Sequence, residues 1–336
     1  MVVLKGELWK FNELAIVDLS GKVLATSPVM LPSLPHDWTN AANLLGFKPP
    51  VALAAGAAYW ADASGVIRKL GRDGKVTEVT RFPIADQQQL TFAVSPDGRQ
   101  LMASVLTVPP FKENPSYPWE RDPGAKWTMQ TLAANTGSAA WEVARVDYSD
   151  WPAPTVVVGW DSGGPLATLN TSLAAQNAPL SVRYTGAPLI HLASDGSHLG
   201  AVAGADCFPL DSLPDGTTLC ATRNAYSAPY IVRSPDGQPL WRLNVAANTY
   251  PYNPVLSQDG KRVVDLGQLL AQDGSVKSVP GWRLNTWQQV GWVDRQTVVL
   301  GVSNGALAHM LLIGVDDANA KPIDLGFSGY FAGVLS

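Results

Sequence analysis

Apolar runs of strand length recur along the chain, and the polar breaks between them are of one kind. Residues 90–94 are followed by Ser95-Pro96-Asp97-Gly98, and 189–193 by Ser194-Asp195-Gly196. Residues 230–232 lead to Ser234-Pro235-Asp236-Gly237, and Val255-Leu256 to Ser257-Gln258-Asp259-Gly260. Plainer Asp-Gly pairs stand at Asp73-Gly74 and Asp273-Gly274. Asp and Gly tolerate the positive φ of a tight hairpin, and a Ser or Asp side chain can bond the turn's own amides. Strand, tight turn and strand, repeated in this way, predict an all-β radial architecture, the β-propeller.

A propeller blade is four antiparallel strands, a to d from the axis outward. The clearest blade has a at 90–94, b at 100–108, c at 127–132 and d at 139–146, with a turn at Asn135-Thr136-Gly137. Residues 189–202 read as a and b of a later blade, and 219–243 as its c and d. Residues 254–268 open another blade, with Asp273-Gly274 as its outer turn, and 289–325 a further one. Residues 51–82 read as b, c and d of an early blade, and 156–184 are the least regular. The N-terminus reads as three strands, at 3–11, 14–19 and 22–29, and residues 329–335 as one strand without a blade of its own. The last strand is therefore expected to become strand a of the first blade and close the ring. Counting innermost strands gives seven blades, with six or eight left open by the weak stretch near residue 170. At seven, the 336 residues supply about 48 per blade, and 1–336 form a single domain.

The segment Phe92-Ala93-Val94-Ser95-Pro96-Asp97-Gly98-Arg99-Gln100-Leu101 resembles the WD40-like repeats of TolB-type bacterial propellers. It is also similar to the propeller domains of prolyl-oligopeptidase-type enzymes. The resemblance implies the fold and, for function, the binding of proteins, peptides or glycans. The Gly-His and Trp-Asp pairs of eukaryotic WD40 repeats do not recur here, and no hydrolase domain follows, so no peptidase activity is implied.

Hydrophobic residues make up 46% of the chain, ample for a core, while charged residues make up only 15%, below the usual quarter. The solvated surface must then rely on Ser, Thr, Asn, Gln and backbone, as in many extracellular proteins. A net charge of −4 gives no general attraction to nucleic acid or anionic lipid. No segment has the length of a membrane span, and Met1-Val2-Val3 enters the strand pattern directly, with no signal peptide. Cys207 and Cys220 flank a span with Pro209, Pro214, Asp215 and Gly216, which reads as a loop whose ends can meet. A disulfide between them is expected, two buried thiols being the alternative. Together with twelve Trp, these features point to an exported monomer, extracellular or periplasmic, whose leader has been removed.

Turns a–b and c–d leave one face of a propeller, and connections b–c and d–a leave the other. The first set consists here of the stereotyped Asp-Gly turns. The second is expected to be long and varied, with Tyr117, Trp119, Glu120 and Arg121 in one b–c loop and both cysteines in another. The d–a connections carry His36, Asp37 and Trp38, then Tyr148, Asp150 and Trp151, then Tyr250 and Tyr252, and finally Trp287. Loops on a rigid scaffold are where binding usually resides, and Trp and Tyr give large contact area at low entropic cost. The candidate ligand-binding residues are therefore His36, Trp38, Tyr117, Trp119, Arg121, Tyr148, Trp151, Tyr250, Tyr252 and Trp287. Trp60, Trp127, Trp141, Trp160 and Trp241 fall within strand patterns and are expected to pack in the core or between blades.

Catalysis needs a constellation. The four His have no helical zinc-site spacing, and His191 and His309 lie in strand-like runs where packing is expected. Trp160-Asp161-Ser162-Gly163-Gly164 lacks the spacing of a nucleophile elbow and reads as a turn. There is no phosphate-cradling or dinucleotide motif, so no cofactor and no metal are assigned. The rival to a binding protein is a glycan-cleaving enzyme using Glu120, Asp150 or Asp37 as acid and base.

Overall fold

In the computed structural model the described residues are 1–7, 10–32, 50–85, 88–107, 127–148, 155–169, 189–204, 206–221, 230–243, 254–265, 267–280, 290–300, 309–317 and 319–335. They form seven four-stranded antiparallel sheets. The first three strands are β1 (Val2–Glu7), β2 (Lys10–Val17) and β3 (Val23–Pro28). Blade 2 is β4 (Val51–Ala54), β5 (Ala57–Ala61), β6 (Val66–Leu70) and β7 (Val76–Arg81). Blade 3 is β8 (Gln88–Val94), β9 (Gln100–Thr107), β10 (Trp127–Asn135) and β11 (Trp141–Tyr148). Blade 4 is β12 (Thr155–Asp161), β13 (Gly164–Leu169), β14 (Leu189–Leu192) and β15 (His198–Ala201). Blade 5 is β16 (Phe208–Ser212), β17 (Thr218–Ala221), β18 (Tyr230–Arg233) and β19 (Pro239–Leu243). Blade 6 is β20 (Val255–Leu256), β21 (Arg262–Asp265), β22 (Gln268–Ala271) and β23 (Val276–Ser278). Blade 7 is β24 (Val290–Trp292), β25 (Thr297–Leu300), β26 (Leu311–Gly314) and β27 (Ile323–Asp324). The last strand, β28 (Gly329–Gly333), completes blade 1 in the order β28-β1-β2-β3.

The ring closes as expected. Val3 pairs with Phe331, Leu4 with Tyr330 and Lys5 with Gly329. Phe331 packs with Val3 and Ala15 against Val299 and Leu312 of blade 7, while Tyr330 lies with Leu4 and Leu14 against Trp60 and Leu70 of blade 2. The core is thus a set of seams between successive sheets. Inner strands are buried on both faces: β5 reads as an unbroken apolar run, and β8 is buried along almost its whole length although it carries Gln88, Gln89 and Thr91. Outer strands such as β3 and β19 alternate exposed and buried positions, because one face meets water.

Four expectations need correction. Residues 155–169 supply a and b of blade 4, so 189–202 are its c and d; a bulge between Val157 and Gly159 breaks the alternation that would have marked β12. Blade 5 accordingly begins at Phe208, and Leu219 belongs to its strand b. Blade 2 has its own strand a, joined to b by Ala55-Gly56, both at positive φ without any Asp. The span between the cysteines is no loop: it contains β16, a tight turn at 213–217, and β17. Pro209 is tolerated because β16 is an innermost strand, bulged between Pro209 and Asp211. Two packing expectations also fail, for Trp141 is 45% exposed and the His309 side chain 43%. Trp60 and Trp241 are buried as expected.

In blades 1, 3, 4 and 5 the outer turn rests on the end of the blade before it. The Gly137 amide donates to the Val79 carbonyl at 2.8 Å, and the Thr80 hydroxyl to the Ser138 carbonyl at 2.7 Å. Ala203 donates to the Pro235 carbonyl at 3.3 Å, and Gly21 of blade 1 lies against Leu325 beside blade 7.

The repeated turns are capped twice. In the first, Arg99 N donates to Asp97 Oδ1 at 3.0 Å and Gln100 N to Ser95 Oγ at 2.9 Å, while the Ser95 hydroxyl donates to Asp97 at 2.6 Å. Ser257 and Asp259 repeat this with Arg262 and Lys261. The Ser95 hydroxyl and Arg99 amide hold the Asp97 carboxyl below its ordinary value, and Ser20, Ser197 and Ser275 do the same for Asp18, Asp195 and Asp273. These carboxyls titrate lower in the folded chain than the free value of 3.8. The turns therefore favour folding above that value and lose their contribution as pH falls through the folded values. The melting temperature is expected to hold steady from about pH 6 to 5 and to fall steeply below about pH 4, read by circular dichroism. A melting temperature still flat at about pH 3 would contradict the role given to these carboxylates.

Candidate binding face

The topology sorts the connections by face. The a–b and c–d turns span 55–56, 95–99, 162–163, 213–217, 257–261 and 293–296, and 18–22, 71–75, 136–140, 193–197, 234–238, 272–275 and 315–322. None is longer than 315–322. On the opposite face the chain passes from β3 to β4 through 29–50, from β9 to β10 through 108–126, and from β13 to β14 through 170–188. Residues 244–254, 279–289 and 301–310 lie in further connections of that set. The expectation that this set is long fails at one connection, where β5 passes to β6 through 62–65 alone.

Most of the predicted site lies outside the described residues. This holds for His36, Asp37, Trp38, Tyr117, Trp119, Glu120, Arg121, Asp150, Trp151, Tyr250, Tyr252 and Trp287. Tyr148 is the last residue of β11 rather than part of a loop, with its backbone opposite Trp127. The cysteines do not share a b–c loop. Cys207 ends the d–a connection from blade 4, Cys220 lies in β17, and the two are bonded with 5.0 Å between Cα atoms. Both are fully buried, packed with Leu166, Leu189, Val202 and Ala203 between blades 4 and 5. Beside them Arg233 forms a two-pronged ion pair with Asp206, at 2.7 and 2.8 Å, that ties the same connection to β18.

Several polar groups on the described side were not legible in sequence. Asp161, 4% exposed, accepts from the Gly163 amide at 2.7 Å and lies 2.8 Å from His191 Nε2. Asp211 accepts from the Leu256 amide of the next blade at 2.8 Å. Burial, aided by Asp265, pushes the Tyr230 hydroxyl up to about 12, so it stays protonated. Among the described residues no group of three or more His, Cys, Asp or Glu could hold a metal ion. Among the same residues no helix is long and apolar enough to cross a membrane.

No protein-family model matches the sequence, and no curated protein matches it. Solved structures do match in fold. The structure described as oligogalacturonate lyase in complex with manganese is 10% identical, with a TM-score of 0.53 over 92% of this chain and 84% of that one. YCF48 bound to D1 peptide is 14% identical, with a TM-score of 0.48 over 83% and 81%. The Dos1 propeller is 10% identical, with a TM-score of 0.46 over 97% and 81%. At such identities the likeness concerns the propeller fold and leaves the ligand open.

Proposed function

We propose that the protein is an exported, monomeric, non-catalytic binding propeller that recognises a protein, peptide or glycan through its long-loop face. The observation carrying this reading is the inequality of the two faces. One is built of minimal turns whose polar groups are spent on their own backbone, as at Asp97 and Asp259. The other receives every long connection, and in sequence these connections hold Trp38, Tyr117, Trp119, Trp151, Tyr250, Tyr252 and Trp287. A buried disulfide fits an oxidising compartment. Rigid sheets presenting aromatic loops supply contact area without much loss of side-chain entropy.

The test is binding to peptide and glycan arrays by the whole chain and by Trp119→Ala and Trp151→Ala. Each substitution is expected to weaken the captured ligand by about tenfold or more, as for an aromatic anchor. Unchanged binding, or an empty array for the unsubstituted chain, would reject the reading. Cleavage of arrayed glycans, abolished by Glu120→Gln or Asp150→Asn, would establish the enzymatic alternative.

A further inference from the structure

The strand β8 carries the innermost edge of blade 3 and begins on the long-loop side. Its side chains divide cleanly. Leu90, Phe92 and Val94 enter the apolar seam with blade 2, whereas Ala93 packs with Val157, Ala167 and Ile190 of blade 4. By strand alternation Gln89 and Thr91 share the face of Ala93 and point toward blade 4. They are only 5% and 7% exposed. Yet Gln89 Oε1, Gln89 Nε2 and Thr91 Oγ1 have no hydrogen-bond partner among the described residues.

The neighbouring groups show how unusual this is. Gln88 uses both ends of its amide, donating to Thr107 Oγ1 and accepting from the Ala85 amide, each at 2.9 Å. Ser104, across from Thr91, accepts from the Val157 amide of blade 4 at 3.0 Å. Buried polar groups are almost always paired, so three atoms without a partner among the described residues, on adjacent side chains of one face, call for one supplied from elsewhere.

We propose that Gln89 and Thr91 form the floor of a binding site in the seam between blades 3 and 4, and that it takes a neutral carboxamide from a bound peptide. This rests on the long-loop face being the ligand face and narrows its ligand to a peptide. The chemistry follows from the groups present. Met102, Ser104 and Val157 share the seam with Gln89, Thr91 and Ala93, and none is ionised. A charged group entering there would lose its water and meet no counter-charge among these seam residues. A planar amide with donor and acceptor both free is complementary to another planar amide through two parallel hydrogen bonds, and the Thr91 hydroxyl offers a third.

The test follows the Gln89 side-chain amide signal by NMR, assigned from its loss in Gln89→Leu, during titration of the intact protein with acetamide, acetate and methyl glucoside. Acetamide alone is expected to shift the signal, and Thr91→Val to weaken that response by about tenfold. No shift with acetamide, or an equal shift with all three probes, would overturn the proposal. An equal or larger shift with methyl glucoside would make the site a hydroxyl site and overturn it as well. A second reading uses stability. Because the polar atoms lack partners, Gln89→Leu with Thr91→Val should leave the melting temperature unchanged or raised, and a fall of more than about 2 °C would show them already satisfied, against the proposal. An acetamide shift beside a peptide array that captures nothing would reject the broader function while leaving this site standing.

Discussion

Removing residues 329–335 is expected to leave a chain that does not fold in water at 25 °C. The deletion takes away strand a of blade 1, and with it Tyr330, Phe331 and Leu335, which are 6, 9 and 7% exposed. Burying one such aromatic side chain contributes about 1.5–3 kcal/mol. The loss extends to both neighbours, because Phe331 rests against the bare Cα of Gly291 in blade 7 and Tyr330 packs in one cluster with Trp60 and Leu70 of blade 2. It also exposes β1 as an unpaired edge at the axis, losing its ladder to β28. The total is comparable with the roughly 5–15 kcal/mol that stabilises a whole domain. Circular dichroism and size exclusion should show an unfolded or aggregated chain, and a synthetic peptide of residues 326–335 added in trans should restore part of the native signal. A truncated monomer melting within a few degrees of the full chain would disprove closure as the source of stability.

Replacing Cys207 and Cys220 by Ala is expected to lower the unfolding free energy by about 3 kcal/mol, the figure for a closed loop of this length. Their sequence separation is 13. The bond fixes the point where blade 4 hands over to blade 5, and it holds Asp206 beside Arg233, whose side chain is 11% exposed. Urea denaturation should show the shift as a lower midpoint. Since both sulfurs are fully buried, dithiothreitol should reduce the native protein only as fast as it unfolds. Rapid reduction without loss of structure, or a midpoint unmoved by the double substitution, would refute this account.

The fold was largely legible because its main signals are local. Ser95-Pro96-Asp97-Gly98 and Ser257-Gln258-Asp259-Gly260 contain within a few residues every atom that caps the turn. The closing strand was legible because three opening strands lacked a fourth. Where a turn used other chemistry the reading slipped. Ala55-Gly56 has no carboxylate, and its Ala55 amide is satisfied by the Pro96 carbonyl of the next blade at 3.1 Å. The bulge in β12 hid a whole strand, and that displaced the strand assignments as far as residue 219.

The site was less legible, for a different physical reason. Aromatic residues in long connections can be picked out one at a time, but their arrangement depends on the blades that carry them. The buried polar groups leave no local mark at all. Gln88 and Gln89 are adjacent and identical in type, yet one has its amide fully engaged and the other not, because alternate side chains face different sheets. Asp161 and His191 are 30 residues apart and meet only because β13 separates their strands in one blade.

The lap of each outer turn over the preceding strand has a consequence for how the molecule can come apart. Like shingles laid around a circle, blades 3, 4 and 5 each lap the sheet before them, and blade 1 laps blade 7 across the join that β28 closes. No sheet is then a terminal unit that can peel away alone, so the ring is lost as one cooperative event.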